Sequence, residues 1–147
     1  MTWLDAALAL AGVIVGTGGT LFIQWLDRRE RYHVLIFQKR LEVHQVAYAW
    51  RTPLFDAIES KDADRILKIT GKALKWWDEN CLYLDDKSQR YFWLLLIRTK
   101  RYANSLKEKS SKAKRKVLIR EVWDMYNKAF EAIHKGVGAK YLPELYK

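Results

Sequence analysis

Glycine and proline end regular structure, and this chain has almost none of either over most of its length. It holds seven Gly and two Pro in 147 residues, and four of the glycines fall between Gly12 and Gly19. A β sandwich or barrel needs turn residues about every 8–12 positions, so the spacing predicts an all-α chain of long helices. Seven Trp, eight Tyr and five Phe, with half of all residues apolar, exclude disorder as the main state. The single cysteine, Cys81, excludes an internal disulfide framework and any Cys-rich zinc site. It is compatible with a reducing compartment.

Between Asp5 and Asp27 stand 21 uncharged residues, AALALAGVIVGTGGTLFIQWL. A helix of that length reaches roughly 30 Å, the thickness of a hydrocarbon core. Trp3 and Trp25 bracket the run, as aromatic rings do at a membrane interface. Asp5 precedes it and no small-x-small cleavage site follows, unlike a secretory signal. The alternative is a buried core helix, because GTGGT keeps the hydropathy modest. The expectation is a transmembrane anchor over 1–27, a cytoplasmic helical bundle over 28–136 and a tail over 137–147. Arg28, Arg29, Arg31, Lys39 and Arg40 follow the run, which places the C-terminal portion in the cytoplasm of a bacterial inner-membrane, single-pass protein with its N-terminus outside.

Gly12 and Gly16 form a G-x-x-x-G pair, extended by Thr20, that would let two helix backbones approach closely. Thr17, Thr20 and Gln24 share one helical face and are candidates for lining a pore. Beyond Asp27, apolar residues recur at helical spacing through Trp50, so the first helix is expected to continue unbroken. Thr52-Pro53 restarts or kinks it, and Ser60-Lys61-Asp62 reads as a turn. Further helices are predicted at about 63–80, from Asp85 or Asp86 to about Leu106, and at about 112–135, with Gly136 as the stop. The apolar run Tyr91–Ile97 is too long for one exposed face and marks the helix that ends near Leu106 as central to a bundle of about four helices. Trp76 and Trp77 point about 100° apart, so one can face the core and the other an oligomer interface.

Lys and Arg total 27 against 17 Asp and Glu, a net charge of +10. The most basic window runs from Arg98 to Arg120 and contains one acid, Glu108. Its centre, Lys107, Lys109, Lys112, Lys114, Arg115 and Lys116, is a candidate site for lipid head groups or nucleic acid, the alternative being an ordinary solvated loop. His44 and His134 lack the i, i+4 company of a helical metal site, and no phosphate-binding glycine loop is present. Neither a metal nor a cofactor is expected. Arg28 and His33 fit the R-x4-H spacing of helical-bundle ribonucleases, in which His is the acid–base group and Arg steadies phosphate charge, although Arg29 stands where those enzymes have a polar residue.

A short all-helical chain with R-x4-H beside an N-terminal anchor resembles the small membrane-anchored accessory proteins that accompany RNA-targeting CRISPR effectors. That resemblance implies a ring-shaped homo-oligomer acting at the inner membrane in antiviral defence, with itself, membrane lipids and an RNA or RNA-guided effector complex as partners. The expected function is therefore a non-enzymatic, self-assembling pore or membrane-perturbing protein. The alternatives are a tethered ribonuclease using Arg28 and His33, or a non-catalytic adaptor for a cytosolic partner.

Overall fold

The computed structural model describes the backbone of residues 3–136 and the side chains of residues 19–136. Five α-helices follow in order: α1 (Trp3–Ala49), α2 (Arg51–Ser60), α3 (Ala63–Asn80), α4 (Asp86–Lys107) and α5 (Lys112–Gly136), with a 3-10 turn over Cys81–Tyr83 between α3 and α4. The all-α reading and the helix limits agree closely with the sequence periodicity. The chain divides into two units, Met1–Gln38 and Lys39–Lys147. The first buried side chains of α1 among those described, Val43 and His44, belong to the second of these units.

Local chemistry explains each boundary. Pro53 sits in the first turn of α2, where its missing N–H would have had no helical partner. Lys61 ends α2 in the left-handed region at φ 53°, with its N–H donating to the Ile58 carbonyl at 3.2 Å. The Asp62 carboxylate then caps α3, accepting from the N–H groups of Asp64 (2.9 Å) and Arg65 (3.3 Å). Asp85 caps α4 in the same way, accepting from Lys87 and Ser88, both at 3.1 Å. Asp86, the other candidate for that cap, lies inside the helix.

In the second unit each helix packs against the next, and α4 lies against both α3 and α5. Its residues Phe92, Leu95, Leu96 and Thr99 are fully buried, whereas Trp93, within the same apolar run, is exposed. Phe92 meets Trp76 edge-to-face at 5.9 Å and Phe130 at 6.1 Å, joining α3, α4 and α5 through their rings. Leu54 and Ile58 from α2, Ile66 from α3, and Val122 and Ile133 from α5 complete the core.

The structure corrects one expectation. Among the described residues, no helix is long and apolar enough to cross a membrane. Within the stretch of α1 whose side chains are described, GTLFIQWL is followed by five charged residues, Asp27 to Arg31. The transmembrane anchor, the single-pass inner-membrane location with an outside N-terminus, and the membrane pore are overturned on this finding. Gly12, Gly16 and Thr17, assigned to the association ridge and the pore lining, have side-chain surroundings that lie outside the described residues. Thr20 and Gln24 are exposed on α1.

Candidate interaction surfaces

In the first unit, α1 carries large apolar side chains in the open. Phe22, Trp25, Tyr32 and Leu35 are 61%, 55%, 65% and 62% exposed. At about 100° per residue, these four with Leu21 and Ile36 fall within an arc of about 140°. This apolar stripe is uncovered over residues 21–36. Arg29 lies in the stripe with its guanidinium 5.7 Å from the centre of the Trp25 ring. The opposite face is mixed: Arg31 pairs there with Asp27 at 2.6 Å, while Ile23 and Val34 are also exposed.

Arg28 and His33 are both exposed on this helix. Five residues apart on one helix, they diverge by about 140°, so a single copy of the helix does not by itself aim both at one phosphate.

The second unit holds a polar junction that spacing alone could not reveal. His44 is 2% exposed; its Nδ1 lies 2.7 Å from the Arg40 carbonyl and its Nε2 3.2 Å from Asp85 Oδ2. The Ser88 hydroxyl donates to the same carboxylate oxygen. Burial by itself would raise the Asp85 pKa, but the hydroxyl and backbone N–H of Ser88, with His44, outweigh it and hold the carboxyl below its ordinary value. Although Ser, Asp and His meet here, the carboxylate stands between the other two. Ser88 has no histidine base and no exposed surface, so the group serves packing and not nucleophilic chemistry.

Gly136 closes the junction from α5. A Cβ there would sit 2.8 Å from His44 Nε2 and closer still to Asp85 Oδ2. Gly136→Ala is expected to destabilise the bundle by about 1–3 kcal/mol through overpacking, measured by urea unfolding. A loss within about 0.5 kcal/mol would show that the end of α5 can move away freely.

The basic window is divided by its surroundings. Lys107 pairs with Asp64 at 2.6 Å, tying the end of α4 to α3. Arg115 is half-buried, its Nε enclosed without a hydrogen-bond partner. Lys109 occupies the left-handed region of the α4–α5 connection at φ 51°. Lys112, Lys114 and Lys116 are exposed, as is Arg120 farther along α5. Trp76 and Trp77, expected to divide between core and interface, are both half-buried against the core.

Beside α5 runs an open cleft of about 590 Å³, formed with the end of α1 and with α2 and lined by residues including Tyr48, Arg51, Phe55, Trp123, Tyr126 and Asn127. It continues past Phe130 and Glu131 to His134. The Phe55 ring stands 5.4 Å from Trp123. Arg51 donates to the Tyr48 hydroxyl at 2.7 Å and lies 5.6 Å from the centre of its ring, while Tyr126 donates to the Arg51 carbonyl at 3.0 Å. The Tyr126 and Tyr48 phenols raise the Arg51 pKa further above its already high value, and burial raises that of the Tyr126 phenol, so Arg51 is charged and Tyr126 neutral at pH 7. No carboxylate pairs with Arg51 among the described residues. Sequence reading passed over these residues, since the facing wall comes from helices distant in the chain. The four-residue steps from Lys112 to Lys116 to Arg120 were the one legible signal. Among the described residues no group of His, Cys, Asp and Glu is placed to hold a metal ion. No protein-family model, no curated protein and no solved structure matches this chain.

Proposed function

We propose that this chain is a non-catalytic, self-associating adaptor, in which residues 21–36 of α1 pair with the same segment of a second copy while the helical bundle meets a partner. The observation that carries this reading is the uncovered stripe of Leu21, Phe22, Trp25, Tyr32, Leu35 and Ile36. A single helix cannot bury its own apolar face, and helices of this kind owe most of their stability to packing. The exposed parts of the three aromatic rings alone amount to roughly 350 Å². With the three aliphatic side chains, the stripe approaches the roughly 800 Å² per partner of a stable interface. Arg28 and Arg29 keep their charged ends at the edge of such an interface, where long side chains reach water.

Light scattering on the full chain over a concentration series tests this. The wild type is expected as a discrete oligomer, and Trp25→Glu with Leu35→Glu as a monomer of unchanged bundle stability. A wild type that remains monomeric throughout, or a double variant with undiminished mass, overturns the reading.

A further inference from the structure

The flank of α5 that borders the aromatic cleft carries a second pattern. Stepping about 100° per residue, Lys112, Lys116, Arg120, Trp123, Asn127 and His134 fall within an arc of about 80°. The first three are exposed cations at four-residue steps, a rise of about 6 Å each, and none is in an ion pair among the described residues. Glu121 points elsewhere; Asp124, the next four-residue step after Arg120, is paired with Lys128 at 2.8 Å, and Glu131 with Lys135 at 2.5 Å. The cationic row thus runs directly into a trough walled by Phe55, Trp123 and Tyr48, with Arg51 and the Asn127 amide at its floor and rim.

We propose that this flank binds single-stranded nucleic acid, with Lys112, Lys116 and Arg120 along the phosphates and one or two bases entering the cleft against Phe55 and Trp123. A row of cations leading to open aromatic faces is the combination that holds single strands without reading sequence. The cleft has the volume of sites that take a drug-sized ligand, enough for a nucleoside and too little for a duplex. A duplex also keeps its base faces stacked and offers the trough nothing. An acidic peptide would satisfy the lysines but leave the rings without a planar partner. The site lies wholly in the second unit and does not depend on self-association.

Fluorescence anisotropy of a labelled RNA 12-mer, its DNA counterpart and the corresponding duplex, titrated with the full chain at several salt concentrations, tests the proposal. Both single strands are expected to bind more tightly than the duplex, and a preference between RNA and DNA would identify the natural ligand. Lys116→Gln with Arg120→Gln is expected to weaken binding at least tenfold and to flatten the logarithmic salt slope by about 1.4, that is about 0.7 for each phosphate no longer neutralised. Phe55→Ala is expected to weaken it about tenfold with the salt slope unchanged, as removal of a stacking ring does. Lys109→Gln with Lys114→Gln removes the same charge off the flank and should change affinity by less than about threefold. Equal losses from the two double variants would reduce the effect to general attraction by a basic surface and overturn the site. Equal affinity for duplex, or no binding at low salt, would overturn it as well. Thermal unfolding of each variant separates weakened binding from a damaged fold.

Discussion

Replacing Phe92 by Ala is expected to lower the stability of the bundle by about 3–5 kcal/mol. Its ring is fully buried on α4 and meets Trp76 of α3 and Phe130 of α5 edge-to-face. Removing it forfeits the transfer free energy of an aromatic side chain, two aromatic pairings and the packing around the cavity left behind. Neighbours on three helices cannot all collapse inward to fill the space. A domain of this size has about 5–15 kcal/mol of stability in total, so the variant should unfold at much lower urea concentration. Tryptophan emission gives a direct readout because Trp76 loses its partner. A loss under about 1.5 kcal/mol would mean that the three helices do not converge on this ring.

Asp85→Ala is the second large effect, at about 2–4 kcal/mol. The carboxylate caps α4, worth about 1 kcal/mol by itself. It also satisfies buried His44 and Ser88, and leaving buried polar groups without partners costs about 1–3 kcal/mol. Asp85→Asn should be milder, since Asn caps helices nearly as well and retains hydrogen-bonding atoms. Titration then separates the charge of the acid from its hydrogen bonds. The folded-state pKa of Asp85 lies below its ordinary value, so the stability it contributes is present in full above the unfolded pKa near 4 and is lost as pH falls through the folded value. The wild type should therefore exceed Asp85→Asn in stability at neutral pH and converge on it in acid. Urea midpoints from pH 7 to pH 2 test this; a gap that stays constant over that range would show that the charge makes no contribution.

The Asp85 junction also shows where sequence reading stops. Asp85 was legible as a helix cap because capping depends on residues two and three positions away. Its link to His44, 41 residues earlier, and to Gly136, at the far end of α5, was not, and both histidines of the bundle read as solitary. Gly136 read as a helix stop for its backbone freedom, whereas its lack of a side chain matters more, because His44 and Asp85 occupy the space a methyl group would need.

The N-terminal helix teaches the converse lesson. Counting uncharged residues between Asp5 and Asp27 measured length, and length suggested a span. Among the described residues, what α1 presents over positions 21–36 is a stripe of exposed large apolar side chains interrupted by the charged positions 27–31. The stripe was legible as threes and fours beyond Asp27, but its extension back to Leu21 was hidden within a run where every residue was uncharged.

What the sequence by itself determined was local: the all-α class, the ends of α2 to α5, the caps at Asp62 and Asp85, and the central place of α4. Each follows from chemistry within one or two helical turns, namely 3.6-residue periodicity, side-chain capping and the left-handed turn after α2. Tertiary structure alone decided which surfaces remain for partners. It withdrew Lys107 into a pairing with Asp64, enclosed Arg115, and set the end of α1 and α2 against one flank of α5, so that Arg51, Phe55 and Trp123 line one open cleft. Those outcomes depend on which helix faces meet across long stretches of chain, and a linear pattern carries each face without its partner.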